Sequence, residues 1–103
     1  HQLVNDTIYI GDFTINNKAH EILFKDKLLE LSSTEYNLLL YLLRNHSIIL
    51  SKDLILQNVW GYEFEGEYNL VEVYISYLRS KIGKEAHDII KTVRGAGYKV
   101  IIK

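Results

Sequence analysis

The chain has no cysteine, no methionine and no proline. Without thiols it has neither a disulfide framework nor a thiolate metal site, and a reducing cytosol is the natural compartment. The missing methionine, absent even from position 1, predicts a fragment cut from a longer product. No Pro-rich or Ser/Gly-rich linker interrupts the sequence, and it shows neither a repeat nor a low-complexity tract. No apolar run approaches the roughly 20 residues of a membrane span, and the start HQLVNDTIYI lacks the basic region and apolar stretch of a signal peptide. These absences predict a soluble protein with no membrane partner. What is there amounts to 103 residues, one domain large enough to fold without staples.

A net charge of −1 argues against a nucleic-acid binder, but its distribution does not. Residues 1–75 hold five Lys+Arg against eleven Asp+Glu, whereas residues 76–103 hold seven against two. Such asymmetry predicts that the C-terminal part meets a polyanion, unless the charges merely solvate a surface.

Residues 1–6 read as the frayed end of an interdomain linker, and residues 7–103 as the domain. Short β-like runs come first, at Thr7 to Ile10, Phe13 to Ile15, Glu21 to Phe24 and Leu28 to Leu31. Turn signals at Gly11-Asp12, Asn16-Asn17 and Lys25-Asp26 separate them, which predicts an antiparallel meander. The period then lengthens to that of a helix. SSTEYNLLLYLLRN carries Tyr36, Leu39, Leu40 and Leu43 on one helical face, and Ser32 with Glu35 has the form of a capping box. SKDLILQNVWG is a second helix, with Ser51 as cap, Asp53 in the first turn and Gly61 as terminator.

NLVEVYISYLRSKIG is the third helix, capped by Asn69 and striped with Val71, Ile75, Leu78 and Ile82. Its other face carries Glu72, Ser76, Arg79 and Ser80, with Val73 and Tyr77 at the margins. An α-helix fits the major groove of B-DNA, and such a face can read base edges. It can equally be an ordinary solvated face, with Glu72 closing the Asn69 cap. KTVRGAGYKV ends the chain as a hairpin, Gly95-Ala96-Gly97 turning between two short strands with Arg94 at the tip. A cation there is idle surface or a probe for negative charge. Strands, two helices, a loop, a helix and a hairpin make an α+β winged helix-turn-helix: an N-terminal four-stranded antiparallel sheet, three helices and a C-terminal β-hairpin wing.

LSSTEYNLLLYLLRN, VWG, VEVYISYLRSKIG and IIKTVRGAGYKV, in this order and at these intervals, resemble the C-terminal effector domains of OmpR/PhoB-type response regulators. The resemblance covers essentially the whole chain. It implies a two-component transcription factor whose missing N-terminal receiver is phosphorylated on an aspartate by a sensor histidine kinase. It also implies sequence-specific binding of double-stranded DNA at tandem half-sites as a homodimer, the third helix in the major groove and the wing arginine in the adjacent minor groove. Carried over by residue, Glu72 and Val73 are base-facing and Arg79 is a phosphate contact. Tyr74 stands where many members have histidine, and Ser76 where many have a basic residue. Trp60 packs at the end of the second helix near the DNA backbone, in a core role or as a phosphate contact. Thr92 and Arg94 match the wing motif. With Asn69, Tyr77 and Ser80 these complete the expected DNA-binding set. The loop GYEFEGEY, with Tyr62, Glu63, Phe64 and Glu65, falls where the family contacts RNA polymerase.

Nothing in the sequence points to an enzyme or a cofactor. The four histidines (His1, His20, His46, His87) are scattered singly, without metal-ligand spacing. Gly95-Ala96-Gly97 lacks the third glycine of a phosphate-binding loop, and a strand rather than a helix follows it. Ser32, Ser33 and Thr34 are explained by capping. The rival reading is a winged-helix protein-interaction module that contacts a partner such as RNA polymerase through Tyr62 and Phe64 without reading DNA.

Overall fold

The computed structural model describes residues 7–61 and 69–102. The expected linker at residues 1–6 and the loop carrying Tyr62, Glu63, Phe64 and Glu65 lie outside the described residues.

Four strands form the N-terminal platform: β1 (Thr7–Ile10), β2 (Phe13–Asn16), β3 (Glu21–Phe24) and β4 (Lys27–Leu28), paired antiparallel in sequence order. Alternation decides the faces. Phe13, Ile15, Ile22 and Phe24 are buried, with the Phe13 and Phe24 rings 4.8 Å apart, while Tyr9 and Leu28 stay outside. The fourth strand begins one residue before the sequence reading and stops at Leu28 rather than Leu31. The cause is the turn: Lys25 and Asp26 both take positive φ, +50° and +67°, so a two-residue hairpin sets Lys27 opposite Phe24. Leu29 leaves the ladder but stays buried, its N–H donating to the Ile22 carbonyl.

Helix α1 (Ser33–Arg44) starts at the expected capping box, with the Ser32 hydroxyl accepting from Glu35 N–H and the Glu35 carboxylate accepting from Ser32 N–H. Its burial is wider than one stripe. Leu38 and Leu42 are fully buried beside Leu39 and Leu43, whereas Leu40 is half-buried, because α1 is packed by several other elements. Tyr36 ties it to the platform: its hydroxyl donates to Asn17 Oδ1 at 3.0 Å and its ring stacks on His20 at 4.8 Å.

Strand β5 (Ile49–Leu50), too short to be read from the sequence, precedes α2 (Lys52–Ile55), which Ser51 caps on Leu54 N–H. The second helix is not α-helical throughout. Leu56–Trp60 is a wider π turn, and Gly61, at φ +115°, closes it by donating five residues back to the Leu56 carbonyl. Helix α3 (Asn69–Ile82) buries Val71, Ile75, Leu78 and Ile82, the stripe read from spacing. A single turn, α4 (Ala86–Ile89), leads into β6 (Ile90–Val93) and β7 (Gly97–Val100). The second sheet has the order β5-β7-β6, so the hairpin is not free-standing but is joined along one edge by β5.

Candidate nucleic-acid interface

Because α3 buries one stripe, Asn69, Glu72, Val73, Ser76, Tyr77 and Ser80 are all exposed on its other side. Two details differ from expectation. Asn69 already stands within α3 rather than as a cap ahead of it. Glu72 does not close a cap; its carboxylate accepts from Lys52 Nζ across to α2. That hydrogen bond raises the Lys52 ammonium above the ordinary lysine value.

Arg79 is not on the exposed side of α3. It is half-buried and turned towards the wing, where one guanidinium nitrogen donates to the Ile90 carbonyl at 2.7 Å and to the Thr92 hydroxyl at 2.8 Å. The guanidinium carbon lies 5.9 Å from the centre of the Tyr98 ring, and Nε is buried with no acceptor among the described residues. The reason is positional: Arg79 follows the buried Leu78, and β6 runs close enough to present backbone and hydroxyl oxygens to it. Through that one nitrogen, shared between a backbone carbonyl and a hydroxyl of β6, the guanidinium ties helix to wing.

Trp60 and Tyr74 are both half-buried and meet edge to face at 5.3 Å; Tyr74 meets Tyr77 in the same way at 5.4 Å. The departure noted at Tyr74 thus leaves an aromatic chain running from the π turn at Trp60 onto the exposed face of α3.

At the wing, Thr92 and Arg94 are exposed as expected. The turn is Arg94-Gly95-Ala96, and Gly97 already belongs to β7, paired with Val93. The two glycines have separate tasks. Gly95, at φ +77°, has open space where a Cβ would sit, so it serves the backbone of a thin tip. Gly97, at φ +141°, would place a Cβ 2.0 Å from the Leu50 carbonyl oxygen, so it serves the approach of β5 and not the thinness of the tip.

The cations of the C-terminal part divide in the same way. Arg79 is engaged with β6, Lys81 pairs with Glu35 at 2.5 Å, and Lys91 lies 3.9 Å from Asp88. Arg94 and Lys99 have no acidic partner among the described residues. Lys84, exposed in the turn after α3, likewise has none among the described residues, so the positive charge left for an outside partner lies on the wing and at that turn.

The sequence profile of the family described as "Transcriptional regulatory protein, C terminal" matches residues 26–100. The chain belongs to this family. The regulator domain is 45% identical over 95 residues to the alkaline phosphatase synthesis transcriptional regulatory protein PhoP of Bacillus subtilis (strain 168), covering 90% of this chain and 40% of that protein. It is 43% identical over 91 residues to the probable transcriptional regulatory protein TcrX of Mycobacterium tuberculosis (strain ATCC 25618 / H37Rv), covering 88% of this chain and 39% of that protein. It thus spans about two fifths of the length of the curated relatives it matches. Among solved structures, the RstA DNA-binding domain of Klebsiella pneumoniae, crystallised in complex with the RstA box, superposes with a TM-score of 0.79 at 31% identity, over 91% of this chain and 95% of that one. The resemblance of the regulator domain to OmpR/PhoB-type effector domains holds, and so does its winged-helix fold.

Proposed function

We propose that this chain is the effector domain of a two-component transcriptional regulator and binds double-stranded DNA sequence-specifically, α3 entering the major groove and Arg94 the adjacent minor groove. One observation carries the reading: the exposed face of α3 and an unpaired arginine on a thin wing are held together by the Arg79 bridge to β6. Its likeness to a domain crystallised with its DNA box supports the same reading. The contacting set is Asn69, Glu72, Val73, Ser76, Tyr77, Ser80, Thr92 and Arg94, with Trp60 and Tyr74 as support and Arg79 as the group that positions helix against wing. No catalytic step, metal or cofactor enters this function, and its place of action is the cytoplasm. The remaining parts of the reading are a receiver domain preceding this segment, a sensor histidine kinase acting on it, and an RNA polymerase contact through residues 62–65.

A domain with few outward cations makes few phosphate contacts, so specific affinity requires two copies on half-sites about 10 to 11 base pairs apart. The test is selection of duplexes from a random pool, followed by titration of paired and single half-sites at several salt concentrations. Tighter binding to the paired site, weakening with salt, is expected. Retention of no duplex would leave the protein-interaction reading in its place.

A further inference from the structure

Resting on the DNA-binding reading, the chemistry of the exposed α3 face narrows what the helix can recognise. The commonest specific contact in a major groove is an arginine or lysine fork on the O6 and N7 of guanine. Helix α3 offers no free cation for it: Arg79 is turned into the wing and Lys81 is held by Glu35. What it offers instead is apolar. Val73 and Tyr77, 39% and 49% exposed, are among the few large hydrophobic side chains left in solvent, and they stand one helical turn apart on the same face. Ser76 lies between them, exposed. Tyr77 is also prepositioned, its ring set edge-on against Tyr74, which is set edge-on against Trp60. A ring held in advance loses little rotamer freedom on binding.

The C5-methyl of thymine is the apolar feature of the major-groove edge. We infer that Val73 and Tyr77 are specificity-determining residues that read thymine methyl groups, so that the site is selected by apolar contact rather than by a cation on guanine.

Replacing a thymine by deoxyuridine removes that methyl and leaves the hydrogen-bonding pattern of the pair intact. In a duplex recovered from the random pool, each thymine of the half-site is replaced in turn and the affinity of the wild-type domain measured. One or two positions should each cost about fourfold, the worth of one buried methyl group, while replacements outside the half-site should cost nothing. The Val73→Ala domain, with an exposed substitution and an unchanged melting temperature, should lose less than about twofold at the position Val73 reads and keep the wild-type loss at the Tyr77 position. Tyr77→Ala should show the reverse. Sequence-selective, salt-sensitive binding with no position responding to deoxyuridine would overturn this inference alone, as would full methyl sensitivity in both variants. If no duplex were retained, the DNA-binding reading would fail and take this inference with it.

Discussion

A guanidinium can be spent inside a protein or offered outside it, and this chain does one with Arg79 and the other with Arg94. Replacing Arg79 by alanine removes a charged donor from the Ile90 carbonyl and the Thr92 hydroxyl, and should lower stability by about 2 kcal/mol in urea unfolding. The logarithmic salt slope of DNA binding should stay within a few tenths of wild type, since no phosphate contact is lost; a slope shallower by about one unit would return Arg79 to the backbone-contact role that the sequence resemblance implies. Arg94→Lys should leave stability unchanged. It should weaken binding most where the flank is A·T-rich and the minor groove narrow, because an ammonium gives up more hydration there than a guanidinium. Titrating two duplexes that share a central site and differ in that flank checks this, and equal losses on both would make Arg94 a generic phosphate contact. The contrast between these arginines was not legible in the sequence. Spacing places Arg79 on the polar face of the third helix, next to a leucine of the apolar stripe, but whether a partner strand lies within reach is a tertiary fact.

Elements written in local chemistry were read correctly. The capping box at Ser32 and Glu35, the Ser51 cap, and the stripe of Val71, Ile75, Leu78 and Ile82 each follow from residues within a few positions of one another. Elements that exist through distant pairing were missed: β5 is two residues long and is a strand because β7 lies beside it, and Glu72 accepts from Lys52 because the fold brings the start of α2 within reach of α3. Gly97 belongs to this second kind. Gly97→Ala should be severely destabilising, on the order of 4 kcal/mol or more, because the added Cβ meets the Leu50 carbonyl oxygen and the backbone cannot yield without parting β5 from β7. Gly95→Ala, with open space but a left-handed backbone at φ +77°, should cost about 1 kcal/mol. Paired urea midpoints for the two variants test the division of labour between tip and strand, and equal losses would refute it.

For the molecule as a whole, the acid side of the stability curve should centre on Glu35. Burial pushes its carboxyl up, but the Lys81 ammonium and the Ser32 N–H outweigh that and hold it below its ordinary value of 4.5. A lowered folded-state value means that the ionised form stabilises the fold above about pH 4.5, and that this contribution is lost as pH falls through the folded value. Glu35→Gln should therefore cost about 1 to 2 kcal/mol at pH 7 and flatten the decline below about pH 4.5; an unchanged slope in urea unfolding would exclude Glu35 as its source. The charge imbalance seen along the sequence is partly consumed in the Lys81 to Glu35 bridge, while Lys25 to Glu85 joins the minority charges of the two parts; both fasten the C-terminal part to the acidic part. The order β5-β7-β6 carries a further consequence, in time rather than in space. The platform pairs neighbours in sequence, but Ile49 pairs with Lys99 across about half the chain, and closing so long a loop costs entropy before any contact repays it. The wing sheet should then be absent from the folding nucleus. A mild β5–β7 variant such as Leu50→Val should speed unfolding and barely slow folding, whereas Ile22→Val in the platform should slow folding.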